Sequence, residues 1–229
     1  LKQKLNSNTN ILNPFPRKCI LLRQTLNFQN FLGKTMCGIV GYIGAKPACS
    51  IIMNGLKRLE YRGYDSAGIA TIENGILVTS KRAGKVADLE KIITPSSLTS
   101  TIGIGHTRWA THGEPNDINA HPHSDYSNNI TIIHNGIIEN YLAIKKKLLL
   151  DGYTFKSETD SEVLAVFIGD IYKRTNDLEK AVRLALSEID GTFGLVVMSV
   201  YEPNTLIAAR RGSPIVFGIG EDEYIIASD

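Results

Sequence analysis

Strand-like segments at both ends of the chain, with helical segments gathered between them, predict a layered α+β fold. Three observations carry this. Short apolar runs, some joined by hairpin signals, recur over residues 37–134. Three helical patterns then follow one another over 137–189, and four more strand-like runs occupy 193–227. Helices grouped in this way argue against alternating βαβ units and a parallel sheet.

Residues 37–43 form a continuous apolar run that reads as a buried strand. Ile51, Ile52, Gly55, Leu56 and Leu59 recur at helical spacing and predict a helix over 48–61. The β-prone runs 67–72 and 76–79 flank Glu73-Asn74-Gly75, and an Asn-Gly turn between such runs signals a hairpin. Two further strands, 102–106 and 130–134, each run into a polar cluster: Thr107-Arg108-Trp109-Ala110-Thr111-His112-Gly113 and Asn135-Gly136. Strand ends and the loops after them are where functional groups are commonly presented.

The first of the three grouped helices is expected over 137–150, with an apolar face of Ile137, Ile138, Tyr141, Leu142, Leu148 and Leu149 and Gly152 as its stop. Thr159-Asp160-Ser161-Glu162 resembles a capping box opening the second, whose stripe is Val163, Leu164, Phe167, Ile168 and Ile171. Residues 177–189 form the third, stopped by Gly191. Strands 193–200, 206–210, 215–219 and 224–227 complete the pattern.

Composition excludes several classes. The 229 residues are 43% apolar and 21% charged with a net charge of +2, and no apolar run reaches the length of a membrane span. Cys19, Cys37 and Cys49 are irregularly spaced and form no CxxC, which points to a reducing, cytoplasmic setting without structural zinc. Residues 1–35 carry six basic and no acidic side chains, whereas the remainder has 19 basic against 23 acidic, so no nucleic-acid surface is expected. This first segment shows no clean period and is expected to stand outside the fold. It reads either as a transit-like leader or as upstream sequence translated from an earlier start, and the lack of an initial Met favours the second. The stop at Ser228-Asp229, directly after a strand, gives residues 36–229 the look of a truncated domain.

Cys37 stands after Met36 at the head of a strand. Taken alone it reads as packing; if the chain begins at Cys37, its thiol and α-amine make a nucleophile with its own base. Arg108 is either a surface arginine stacked on Trp109 or a clamp for a carboxylate. Asn135-Gly136 is either a turn or an oxyanion hole, and Asp160 either a helix cap or a partner for an ammonium group. His106, His112, His121, His123 and His134 suggest a metal, but Pro122 between the closest pair and the lack of a nearby carboxylate triad argue against one. Thiol, amine, oxyanion donors, arginine and aspartate together complement one small molecule: an amino acid with a side-chain amide, glutamine or asparagine.

Five strings, Met36-Cys-Gly-Ile-Val-Gly41, Arg58-Leu-Glu-Tyr-Arg-Gly-Tyr-Asp-Ser66, Gly105-His-Thr-Arg-Trp-Ala-Thr-His-Gly113, His134-Asn-Gly-Ile-Ile-Glu-Asn140 and Ser157-Glu-Thr-Asp-Ser-Glu162, resemble the glutaminase domains of the isomerising glutamine–fructose-6-phosphate aminotransferase family. The resemblance runs from residue 36 to the end. It implies a class II amidotransferase of the N-terminal-nucleophile hydrolase type, a four-layer αββα sandwich of two antiparallel sheets. It further implies Cys37 as nucleophile with its α-amine as base, and Asn135 and Gly136 as the oxyanion hole. Arg108 would hold the glutamine α-carboxylate and Asp160 the α-amine, with Trp109, Thr111 and His112 shaping the pocket and Arg62 ordering the nucleophile. No cofactor is implied. Glutamine is the expected partner; fructose 6-phosphate would be held by sugar-isomerase domains that this sequence lacks, in a full-length enzyme expected to be a homodimer. The alternatives are a non-catalytic remnant of such a synthase, or the glutaminase domain of another class II amidotransferase.

Overall fold

The computed structural model describes residues 17–24, 37–94, 98–109 and 113–229. The elements in chain order are strands β1 (Lys18–Arg23) and β2 (Gly38–Ile43), helix α1 (Ala48–Leu59), β3 (Ser66–Glu73), β4 (Ile76–Ala83), α2 (Val86–Ile92), β5 (Ile102–Arg108), β6 (His123–Ser124), β7 (Ile130–Ile138), α3 (Tyr141–Leu150), α4 (Asp160–Thr175), α5 (Leu178–Glu188), β8 (Gly191–Ser199), β9 (Thr205–Arg211), β10 (Val216–Gly220) and β11 (Glu223–Ala227). One sheet has the order β1-β9-β8-β7-β6 and the other β10-β11-β2-β5-β3-β4.

The two sheets stack face to face between helices, which is the four-layer arrangement the resemblance implies. Strand alternation builds the layers. In β2, Ile39 and Ile43 point into the space between the sheets, where they meet Ile104, Ile133, Val196 and Ile226. Val40 and Tyr42 point the other way and pack under α1 with Ile52 and Leu56. In β7, Ile133 faces the second sheet, whereas Ile130 and Ile132 face Leu164 and Ile168 of α4. Every central strand is therefore apolar on both sides, and each fully buried Ile or Leu contributes about 1.5–3 kcal/mol by leaving water.

Local chemistry fixes the pieces. Asn74 and Gly75 both take positive φ, 52° and 78°, the turn that matches strand twist and joins β3 to β4. Helix α1 carries Lys57 and Arg58 in its last turn, favourable near a helix C-terminus. Thr159 caps α4 by accepting from the Glu162 backbone N–H at 3.2 Å, but the reciprocal half of the expected box is absent: Glu162 instead accepts from the Lys156 and Ser157 backbone.

Several boundaries differ from expectation. The helix expected over 48–61 closes at Leu59 and tightens into a 3-10 turn, Glu60–Arg62. The helix expected from 137 begins at Tyr141, because Ile137 and Ile138 extend β7 by pairing with Thr192 and Gly191. Leu142 and Leu149, placed on its apolar face, are exposed. Helix α2 and the two-residue β6 were not expected. Nor was β1, which lies within the segment expected to stand outside the fold: residues 18–23 add to the edge of β9 in parallel and bury Cys19, Ile20 and Leu22.

Candidate active site

The polar residues gather where β2 and β5 of one sheet face β7 of the other. Alternation aims them. Cys37 precedes β2 on the parity of Ile39, so it continues the row that faces between the sheets. His106 and Arg108 share the parity of Ile104 in β5, and Asn135 shares that of Ile133 in β7. The two sheets thus present Cys37, His106, Arg108 and Asn135 to one another, at the end where Gly136 and Ile137 become exposed.

Cys37 is held on two sides. Its Sγ accepts from the Trp109 backbone N–H at 3.1 Å, and its carbonyl oxygen accepts from Asn135 Nδ2 at 2.7 Å. The next residue, Gly38, donates its N–H to Thr107 Oγ1 at 3.1 Å. A Cβ at Gly38 would lie 2.6 Å from that oxygen and 2.8 Å from Leu59 Cβ, so only glycine lets the chain turn into β2 this close to β5 and α1. Burial pushes the Cys37 thiol up from its ordinary range, and the Trp109 backbone and the Arg108 charge pull it partly back.

Arg108 is buried, 4% exposed, which removes the surface side chain that was one of its two expected readings. Its guanidinium donates to the carbonyls of Glu114 and Gly113 at 3.4 and 3.3 Å, and desolvation lowers its pKa against the opposing pull of Cys37, Asp65 and Asp160. Trp109 meets the edge of Tyr64 with ring centres 5.3 Å apart. Gly63 makes that approach possible, since a Cβ there would lie 2.7 Å from the Arg108 backbone.

Asn135 is buried, and Gly136 follows with φ 133°, a conformation that glycine tolerates and other residues resist. Asp160 opens α4. Its Oδ2 accepts the Ile138 backbone N–H at 2.8 Å and its Oδ1 accepts from Ser161 Oγ at 3.3 Å, while Ser161 Oγ lies 3.0 Å from His134 Nδ1. The strand that bears Asn135 and the helix that bears Asp160 are therefore bonded twice. Arg62 pairs with Asp229 at 3.0 Å, and the neighbouring Ser228 Oγ accepts from the Ile39 N–H, so Arg62 is tied to β2, the strand that Cys37 precedes, through residues 228–229. Thr111 and His112 lie outside the described residues.

His106 and His134, which had entered only as possible metal ligands, instead bond to Asn135 and to Ser161, the neighbour of Asp160. Their signal in sequence was their position inside the strings ending β5 and β7. Among the described residues no group of three His, Cys, Asp or Glu side chains is arranged to hold a metal ion.

The model of the glutamine amidotransferase domain matches residues 106–229. The chain belongs to the glutamine amidotransferase domain family. This amidotransferase domain is 53% identical over 199 residues to the glutamine–fructose-6-phosphate aminotransferase (isomerising) of Chlorobaculum tepidum, and 54% identical over 197 residues to that of Bacteroides thetaiotaomicron. Both matches cover 85% of this chain and 32% of the relative, so the chain spans about a third of the length of the curated relatives it matches. A glutamine phosphoribosylpyrophosphate amidotransferase from B. subtilis, solved with ADP and GMP, superposes with a TM-score of 0.71 at 28% identity. An allosteric regulatory enzyme of purine biosynthesis superposes at 0.72 and 29%. Each covers 84% of this chain and 42% of the solved one. The two-sheet α+β sandwich is thus the fold of known class II amidotransferases.

Proposed function

We propose that the chain is the ammonia-releasing part of an isomerising glutamine–fructose-6-phosphate aminotransferase. The observation that carries the reading is the seat of Cys37 at the head of β2, with its thiol on the Trp109 N–H and its carbonyl on the Asn135 amide. In the active form the chain begins at Cys37, and its α-amine takes the thiol proton. Sγ attacks the glutamine side-chain carbonyl carbon. The tetrahedral oxyanion is met by Asn135 Nδ2 and the Gly136 N–H, each donor being worth about 3 kcal/mol of barrier. The C–N bond breaks as the α-ammonium returns its proton to the leaving nitrogen, giving ammonia and a γ-glutamyl thioester on Cys37. Water then attacks the thioester, releasing glutamate and restoring the thiol.

Arg108 grips the α-carboxylate and Asp160 the α-ammonium, with Trp109, Thr111 and His112 bounding the pocket and Arg62 steadying the nucleophile strand. Residues 36–229 carry the amidotransferase machinery, and residues 18–23 of the preceding segment add only the edge strand β1 beside β9. Transfer to fructose 6-phosphate, and so synthesis of glucosamine 6-phosphate, belongs to isomerase domains of a cytoplasmic, homodimeric full-length enzyme.

The test uses the full chain with a protease site ending at residue 36, so that cleavage exposes the Cys37 amine. Cleaved protein is expected to release glutamate from glutamine, and a diazoketone analogue of glutamine is expected to label Cys37 and leave Cys19 and Cys49 untouched. Cys37→Ala should abolish both. A cleaved, folded protein without glutaminase activity, or one labelled at another cysteine, overturns the reading.

A further inference from the structure

The Asn135 side chain has an oxygen at one end and two N–H groups at the other, and only the second can meet a developing negative charge. Its partners decide which way it faces. The Cys37 carbonyl can only accept, so the atom 2.7 Å from it is Nδ2, and Oδ1 turns inward to His106 Nε2 at 2.9 Å. An amide oxygen also only accepts, so His106 must supply an N–H from Nε2. The His106 Nδ1 makes no hydrogen bond of normal geometry, although the His134 backbone is near enough to act on the ring, so the Nε2–H assignment stands on the Asn135 oxygen.

We propose that His106 is a positioning residue for the oxyanion hole: its Nε2–H locks Asn135 Oδ1, preventing the amide from flipping and leaving the second Nδ2–H free for the substrate carbonyl. This rests on the reading of Asn135 as an oxyanion donor. A flipped amide would set Oδ1 against the Cys37 carbonyl and leave the His106 N–H facing N–H groups. The lock makes both errors costly in a place that water does not reach, since His106 is 1% and Asn135 4% exposed.

The surroundings keep the lock in one state. Burial holds the His106 pKa down to about 3, so the ring stays neutral through the working range. His121 packs on it at 4.2 Å, His123 packs on His121 at 4.7 Å, and His123 Nε2 lies 3.1 Å from the Thr159 hydroxyl that caps α4. Both ring nitrogens of His121 lack hydrogen-bond partners. The row therefore fixes position by packing and is not a proton wire.

Two measurements test this. In the intact, uncleaved chain, nitrogen chemical shifts of the His106 ring are expected to report the Nε2–H tautomer, and the Asn135 side-chain amide protons are expected to move in His106→Phe, which keeps the ring and its stack but not the donor. An Nδ1–H tautomer, or unmoved Asn135 signals, overturns the proposal whether or not the chain is a glutaminase. In chain cleaved before Cys37, His106→Phe should lower kcat by about 10- to 100-fold, with KM for glutamine within about twofold. His106→Gln, whose amide N–H can replace Nε2–H, should recover much of that loss, and it serves as the folded comparison if the Phe variant is unstable. The decisive outcome is the double variant with Asn135→Ala: a loss no greater than that of Asn135→Ala alone supports action through Asn135, and multiplied losses overturn it. If cleaved wild-type protein has no activity while the NMR results hold, the proposed function fails and the lock stands as a structural contact.

Discussion

The Asp160 carboxylate accepts the backbone N–H of Ile138 at 2.8 Å, two residues beyond Gly136. One oxygen of a helix-opening aspartate thus satisfies a strand amide, and the two sides of the proposed glutamine site share one rigid joint. The structural and binding parts of this carboxylate can be separated. Asp160→Asn keeps an acceptor for Ile138 and removes the charge, so it should raise KM for glutamine by roughly 30-fold or more with little change in urea stability. Asp160→Ala strands the Ile138 N–H and should cost about 1–3 kcal/mol as well. Steady-state kinetics and urea unfolding of both variants check this.

Cys37 should respond to its neighbour on the N-terminal side. With residue 36 attached, burial keeps the thiol neutral at pH 7, and iodoacetamide alkylation of Cys37 should keep rising as pH passes 9. Freeing the α-amine puts a positive charge beside the sulfur below its pKa near 8, which favours thiolate. Alkylation at pH 7.5 should therefore be faster in the cleaved chain. Site-resolved mass spectrometry over pH 6–10 measures both rates.

Acid should weaken the fold through its histidines. His106, His121, His123 and His134 are buried and all have lowered pKa values, chiefly from desolvation. Their unfolded-state value is near 6.5, so below that pH the unfolded chain binds more protons and stability falls; above it the contribution is fully present. Each group adds up to about 1.4 kcal/mol per pH unit to this slope. Urea unfolding between pH 6.5 and 5 should show it, and His121→Phe should reduce the slope by about one proton.

Gly136 is fixed by space as well as by φ. A Cβ there would collide with the Thr192 carbonyl oxygen across the β7–β8 ladder. Gly136→Ala should destabilise the chain by about 2–4 kcal/mol in urea unfolding. A loss below about 0.5 kcal/mol would mean that the strand end yields easily.

Much of this was legible from local chemistry. The Asn74-Gly75 hairpin, the Thr159 cap and the stripe of α4 depend on residues a few positions apart. What was missed depends on distant partners. Ile137 and Ile138 carry a helical spacing but join β7 because Thr192 and Gly191 arrive some 50 residues later. Residues 18–23 have no clean alternation and become a strand only beside β9, which bonds one side of their backbone. The motif strings brought Cys37, Arg108, Asn135 and Asp160 into view, yet a histidine within a strand discloses nothing of its role until the strand opposite is known. His106 needed β7 in place before its bond to Asn135 could be seen.

Cys37 and Asn135, the proposed nucleophile and oxyanion donor, are rooted in separate slabs, so the gap between them is a gauge of how far apart those slabs sit. Ile39, Ile104, Ile133 and Val196 act as spacers between them. Shaving a methyl from one of these, well away from any substrate, would register first in turnover, because an attack geometry tolerates far less slack than a hydrophobic layer does.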